Sequence, residues 1–478
     1  MMSEMYDVVV IGAGPAGISA GACLAEMGMQ VCLLDEQQHP GGQIYRNIKK
    51  ASPKTLREMG EDYERGAHLV RRFEDSKAAY HQGATVWHLV PDGSVYVSVK
   101  NSSRQIRAHY IVVATGAMER PVPFPGWNLP GCMGAGAANN LAKEAGLTPD
   151  CNVVLAGSGP LLLLEASLLV GKGVPVQAIL ETTSKTPSLG ALLKMFPALK
   201  RYDFLMKGLK MVRDIKKSGV PHYKGISELQ ALGNDRLETV KACHGPNKLK
   251  FSADLLLTHF GVIPNTHIYR LLKCHLEWNR EQRYWQPITD NWGRTNYENI
   301  FAAGDGAGVH GARAAEYKGE LAALEIAHCL GIIPAYERDN LARPLRLKLQ
   351  DDHYPRPFID AVFAPHFSKE SFADETVLCR CENIKVKDVR KAVGEGVRDV
   401  NELKIVTRCG MGPCQGRMCG PALAEIMGAE LSLSPDKVGM MTIRPPLKPI
   451  PLEEVAEMEL EGAAVGPADL FKNQSKKY

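Results

Sequence analysis

The chain has 478 residues, 45% of them hydrophobic, and a formal net charge of +4. That length predicts about three domains, the apolar fraction supports packed cores rather than disorder, and so small a positive excess gives no electrostatic reason to expect nucleic acid as a partner. No run of 18 or more apolar residues occurs, so no membrane span is expected; a strand pattern begins within a few residues of the start, without basic n-region or cleavage signal, and a cytoplasmic location is expected.

Residues 6–11 (YDVVVI) form a short β-branched run that predicts a buried parallel strand. A glycine-rich turn follows, Gly12-Ala13-Gly14-Pro15-Ala16-Gly17, then a helical stretch to about Gly28 and a second strand over 30–34 closed by Asp35 and Glu36. This is one βαβ unit. Its first glycine permits the tight turn, the second lets a pyrophosphate approach the backbone, and the third lets helix pack on strand. The helix N-terminus offers free N–H groups to phosphates. Asp35, 18 residues after Gly17, is placed to accept hydrogen bonds from a ribose diol.

The strand pattern at 110–113 ends in Ala114-Thr115-Gly116. A second βαβ unit then begins: strand 152–155, turn Gly157-Ser158-Gly159-Pro160, helix 161–170 interrupted by Glu165, and strand 175–180 closed by Glu181. Leu162 stands at its third glycine position, which makes this turn the weaker of the two. Glu181 could bind a ribose. Residues 182–185 lack an arginine pair for a 2′-phosphate, which disfavours NADP and leaves NAD, another adenine nucleotide such as ATP, or no ligand. A further strand at 299–301 ends in Ala302-Ala303-Gly304-Asp305.

Periodicity is weak over 346–374, which reads as a linker. Beyond it Val386, Val389, Val393, Val397, Val400 and Leu403 recur at three- and four-residue steps, and Gly394 and Gly396 split them into two helices. A proline-rich stretch (residues 444–451) predicts an extended arm with a frayed polar end. The expected domains are 1–120 with 290–345, then 121–289, the 346–374 linker, a cysteine module at 375–433 and the 434–478 arm.

Of twelve cysteines, seven are scattered from Cys23 to Cys329 and five crowd between Cys379 and Cys419. Scattered ones read as reduced thiols. In the crowd, Cys379-Arg380-Cys381 is followed by Cys409, Cys414 and Cys419, with 32 residues between Cys381 and Cys414. Four thiolates hold a 2Fe-2S cluster, whereas structural zinc usually takes Cys-x-x-Cys knuckles. The one-residue gap and the glycines at 410, 412, 416 and 420 suit iron–sulfur, since they let amides turn toward cluster sulfurs. No acid–base set is legible: the 14 histidines form no His-x-x-x-His pattern, and no catalytic residue is expected on this chain.

Pro15 in the first turn, Gly41-Gly42-Gln43, the Ala-Thr-Gly strand end and the Ala-Gly-Asp strand end together resemble the flavoprotein family that includes glutathione reductase and thioredoxin reductase. The resemblance implies an α/β fold of two Rossmann-like domains with FAD in the first. Around it would stand Gly12, Gly14, Pro15, Ala16, Gly17, Asp35, Glu36, Gly42, Gln43, Thr115, Gly116, Gly304 and Asp305, with Gly304-Asp305 near the ribityl and phosphates. The following helix would point its N-terminus at the flavin. Arg46 reads equally as a phosphate contact or a surface cation, and His310, close after Asp305, could face the flavin but reads more readily as a packed or capping histidine. After Gly41-Gly42 the chain has no cysteine, and Cys132 and Cys151 are too far apart to form a redox pair, so thiol–disulfide exchange is not expected.

The cysteine module resembles the bacterioferritin-associated ferredoxin type of 2Fe-2S domain. That implies Cys379, Cys381 and Cys414 as ligands. The family's fourth position falls on Arg417, so Cys419 is the favoured substitute and Cys409 its competitor. Domain order, the stretch from Asp35 to Arg46, the Arg408–Gly420 loop and the proline-rich tail resemble the large subunit of heteromeric amino-acid dehydrogenases, a group spanning opine oxidases, hydroxyproline and proline dehydrogenases and hydrogen cyanide synthase. This implies an electron relay through FAD and the cluster. A flavoprotein β subunit, with room for a small third subunit, would oxidise the C–N bond of an amino acid or opine. The rival readings are a self-sufficient NADH-dependent reductase and a non-catalytic nucleotide-binding scaffold.

Overall fold

The computed structural model describes residues 4–184, 189–367 and 372–458. Its largest sheet has seven strands. Glu4–Ile11 lies between Val31–Asp35 and Ser102–Val113, parallel to both; Ala79–Gln82 extends one side, Ser94–Val99 and Thr85–Leu89 the other. The chain returns after almost 190 residues to add Ile300–Ala302 beside Ser102–Val113. Val8, Val9 and Val10 are fully buried because both faces of the sheet are covered, as an uninterrupted β-branched strand requires. Helices Pro15–Glu26, Glu61–Asp75 and Ala312–Cys329 pack on one face. Ile268, Tyr269 and Leu272 cover the other, together with Ile443 and Leu447 from the C-terminal arm.

The second sheet is all parallel, in the order His222–Lys224, Val176–Glu181, Val153–Ser158, Leu255–Phe260, Cys132–Gly134. Leu162, at the missing third glycine, is fully buried on helix Pro160–Gly171 in the core between helix and sheet. Glu165, the charge within that apolar helix, is buried and accepts a hydrogen bond from Asn139 Nδ2 at 2.9 Å. The antiparallel pair Ala117–Glu119 and Val262–Pro264 ties the two sheets together.

The stretch read as a linker is largely helical. Helix Ala335–His353 runs into it, and Arg356–Val362 follows and packs on Leu189–Ala198. The missing apolar stripe has a physical cause. The 335–353 helix buries only Ala342 and Leu345; its hold comes from Arg338 and Arg346, 4.4 and 4.3 Å from the Trp292 ring, and from Asp352, which pairs with Arg201 at 2.6 Å.

In the cysteine module, helices Val386–Gly394, Val400–Thr407 and Gly420–Leu431 close on one core, which buries every Val and Leu of the three- and four-residue pattern. The arm then runs as a strap over the first domain. Leu447 N–H donates to Trp87 O at 2.7 Å, and Arg417 donates twice to Leu447 O at 3.1 Å. The frayed end expected at 473–478 lies outside the described residues. Among the described residues no helix is long and apolar enough to cross a membrane.

Candidate functional site

The first glycine turn forms an open cradle. Gly12 has φ +107°, and a Cβ there would stand 2.4 Å from Ala114 O, so only glycine lets the adjoining strands close. At Gly14 the case differs: the nearest atom to a Cβ is Gly42 Cα, 4.0 Å away. Space is therefore left above the turn, between Gly14 and the Gly41-Gly42 loop, at the head of the Pro15–Glu26 helix. Ala16 and Gly17 are buried behind it, and Ala16 is the contact point for Gly304 and Gly319.

Asp35 closes one end of the cradle. Its Oδ2 accepts from Ala13 N at 2.5 Å and its Oδ1 from Gln37 N at 2.6 Å. Burial pushes its carboxyl above the usual range, against the pull of those two amides. Asp305 closes the other end, with Oδ1 accepting from His310 N (2.9 Å) and Gly311 N (3.0 Å) at the start of the 312–329 helix. Between them, Thr115 O and Gly116 O accept from Asn265 Nδ2 and N at 2.9 and 3.0 Å. The Thr115 hydroxyl is buried without a partner, and nothing lies within 4 Å of where a Gly116 side chain would project. A pyrophosphate-bearing dinucleotide fits these features: a glycine cradle, a carboxylate at each end and an orphaned hydroxyl between them. FAD, the cofactor implied by the sequence resemblance, is such a molecule.

Three of the anticipated residues point elsewhere. Glu36 pairs with Lys448 of the arm. Arg46 is spent on protein partners, Glu144 at 2.8 Å, Gln37 at 2.9 Å and Gln43 at 3.2 Å. Gln43 Oε1 also accepts from Asn140 at 2.7 Å. Asn265 is not legible as a site residue from sequence. Its only signal is its place just after the short pairing strand 262–264.

The second turn is more crowded. Ser158 is buried and Pro160 heads the helix. A Cβ on Gly157 would sit 1.8 Å from His259 O, and one on Gly159 would sit 3.0 Å from the His259 ring. His259 Nδ1 lies 2.7 Å from Glu119 Oε1, which puts a carboxylate one residue from the turn, where it opposes a second anion. Glu181 is fully buried, with His222 Nε2 at 2.7 Å and Lys224 Nζ at 3.5 Å on its Oε2, while Oε1 is buried unpartnered.

In the cysteine module the thiols of Cys379, Cys409 and Cys419 lie within 4.8 Å of one another, all buried. The exposed Cys381 neighbours the partly buried Cys414, whose amide and thiol it contacts. The sequence favours Cys419 over Cys409; the structure places both beside Cys379. Contacts with Cys409 and Cys419 hold the Cys379 thiol well below its usual range, and the contact with Cys379 pushes both of the others up. A close trio, Cys379, Cys409 and Cys419, and a neighbouring pair, Cys381 and Cys414, supply soft donors that suit a thiolate-ligated metal group. The loop also reaches the first site. His267 Nε2 donates to Gln415 O at 3.1 Å, and His267 lies two residues from Asn265.

Residues 6–323 match the family described as pyridine nucleotide-disulphide oxidoreductase, and residues 374–458 match the sarcosine oxidase A3 domain. An opine oxidase subunit of Agrobacterium tumefaciens (strain Ach5) is 40% identical over 96% of this chain and 92% of its own. Hydrogen cyanide synthase subunit HcnB of Pseudomonas protegens is 31% identical over 93% of this chain and 96% of its own. Among solved structures, L-proline dehydrogenase from P. horikoshii superimposes with a TM-score of 0.70 over 95% of this chain and 80% of that one, at 19% identity. The chain thus belongs to the pyridine nucleotide-disulphide oxidoreductase family, in the group that contains these opine oxidase subunits.

Proposed function

We propose that this chain is the electron-relay subunit of a heteromeric oxidoreductase acting on the C–N bond of an amino acid or opine. It would hold FAD in the first glycine cradle and a 2Fe-2S cluster on Cys379, Cys381, Cys414 and Cys419. When bound, FAD supplies a two-electron acceptor and the cluster a one-electron acceptor. The chain's own residues position them. Gly14 and Asp35 would hold the adenosine and pyrophosphate end, Thr115 would offer a hydroxyl, and Asp305 with the N-terminus of the 312–329 helix would serve the flavin end. The observation that carries the reading is the contact route from the thiols to the cradle. The loop that bears Cys414 and Cys419 binds His267 through Gln415 O, and Asn265 binds Thr115 and Gly116. The test is anaerobic purification with metal and flavin analysis: about one FAD and about two iron atoms per chain are expected, and zinc or no metal would remove the relay.

The C–N oxidation is assigned to a flavoprotein partner, because relatives are named as subunits. Helices Leu189–Ala198 and Tyr202–Lys217 supply a face for that partner. Leu193, Phe196, Tyr202, Met206 and Leu209 are each more than half exposed, a larger apolar display than a lone chain normally tolerates. A Phe196→Glu, Leu209→Glu double variant is expected to stay yellow and folded while losing its partner on gel filtration. Substrate-dependent dye reduction by the mixture should fall more than about tenfold. Retention of the complex would move the interface elsewhere.

The rival NADH-dependent reductase needs a working second turn. With the His259 ring packed against Gly159 and paired to Glu119, and Glu181 committed to His222, NADH is expected to leave the flavin of the isolated chain oxidised. Stopped-flow absorbance would show this, and rapid bleaching would favour the rival.

A further inference from the structure

A cavity of about 440 Å³ lies between the 312–329 and 335–353 helices, a volume suited to a small molecule. It is not the FAD cradle: the 312–329 helix turns Gly319 toward Ala16 and the first turn, but turns Ala314, Lys318 and Leu321 into the cavity. We infer that this cavity is a binding site for a small organic dianion, either a phosphomonoester or a dicarboxylate.

The argument is one of uncompensated charge. Lys318 reaches the cavity with no hydrogen bond or ion pair to its ammonium among the described residues. Arg346, also in the lining but exposed, has the face of Trp292 as its partner among the described residues. Arg356 is partly committed, donating to Val309 O at 2.9 Å and lying 3.1 Å from Asp360, yet its Nε is buried without a partner. The one carboxylate in the wall, Asp352, is offset by Arg201, which pairs with its Oδ1 at 2.6 Å, while its Oδ2 is buried without a partner. Lys318 is therefore left in the wall as a desolvated cation without a partner among the described residues, with the exposed Arg346 at the rim, beside the His310 and His353 rings, whose centroids are 5.9 Å apart. Leaving charges desolvated and unpaired is costly unless a counter-ion completes the site.

The surroundings register that cost. Burial lowers Lys318 to about 8, against some support from Asp305. Burial, then Lys318 and Arg356, lowers His310 to about 2. Guanidinium forks match planar carboxylate or phosphate oxygens, which sets the headgroup. Ala314, Leu321 and Leu349 form an apolar wall, which gives the ligand a hydrocarbon or aromatic body.

The test uses the full chain as purified, with calorimetric titration and thermal unfolding at constant ionic strength. The probes are phenyl phosphate, succinate and neutral benzamide. Binding of phenyl phosphate alone identifies a phosphomonoester site, and binding of succinate alone a dicarboxylate site; benzamide is expected to be inert. Lys318→Met and Arg346→Gln should each weaken the bound dianion about tenfold or more. Lys348→Met should not, because Lys348 lies over the Tyr317 ring and does not line the cavity. Lys318→Met should also unfold at a higher temperature than the parent without ligand, since it removes a desolvated charge. If Lys318→Met does not fold, Arg346→Gln carries the test. Failure of both dianions to bind, or equal binding in parent and variants, overturns the assignment.

Discussion

Cys379→Ser is expected to yield a chain that keeps its FAD and loses its iron. Cys379 is the thiol common to the whole cluster: it contacts both Cys409 and Cys419, and its charge acts on Cys381. A serine hydroxyl at that position stays protonated and cannot replace a thiolate ligand. FAD should survive because, among the described residues, Gly14, Asp35, Thr115 and Asp305 share no hydrogen bond with Cys379, whose core is the separate cluster of the cysteine module. Transfer to a one-electron acceptor should fall more than about tenfold, and the visible absorbance should reduce to that of flavin alone. Cys409→Ser and Cys419→Ser then decide the fourth ligand. Cys419 stands at the N-cap of the Gly420–Leu431 helix, beside the Cys379 thiol. Its serine variant is expected to lose iron as Cys379→Ser does, whereas Cys409→Ser should retain most of it. The reverse pattern would exchange the two roles, and undiminished iron in Cys379→Ser would break the ligand set.

Legibility in the sequence follows how local each cause is. The 4–11 strand can be read because a β-branched run covered on both faces has few alternatives, and the glycines after it because each answers a contact demanded by the turn itself. The cysteine module's core can be read for the same reason, as a helical period within about twenty residues. The features that escape depend on partners far along the chain. Helix Ala335–His353 is anchored by Trp292 and Arg201 rather than by its own stripe. Glu36 reads as a cofactor neighbour until Lys448, more than 400 residues later, pairs with it. The second turn reads as a plausible nucleotide site because neither His259, which crowds it, nor Glu119, which pairs with His259, is near it in sequence. Cys409 cannot be placed by spacing, since spacing does not reveal how two loops face one another.

Two glycine substitutions separate the fold of the first domain from its cofactor. Gly12→Ala forces a side chain into a left-handed backbone at φ +107° and sets its Cβ 2.4 Å from Ala114 O. Neither strain can relax without parting the strands that end at Ile11 and Val113, so the variant is expected to lose roughly 2–4 kcal/mol of stability and to unfold at a visibly lower temperature even without FAD. Gly14→Val meets no such obstacle. Its backbone is extended, with φ −75° and ψ −177° at the helix N-cap, and the first atom in the way is 4.0 Å off. The fold should lose only about 1 kcal/mol, for a poorer cap. The isopropyl group, however, fills the space through which a pyrophosphate would reach the helix amides, so flavin content should drop to below about a tenth of the parent's. Flavin absorbance and the apoprotein's melting temperature distinguish the two outcomes. A Gly14→Val chain that purified fully yellow would mean that the dinucleotide does not lie over this turn.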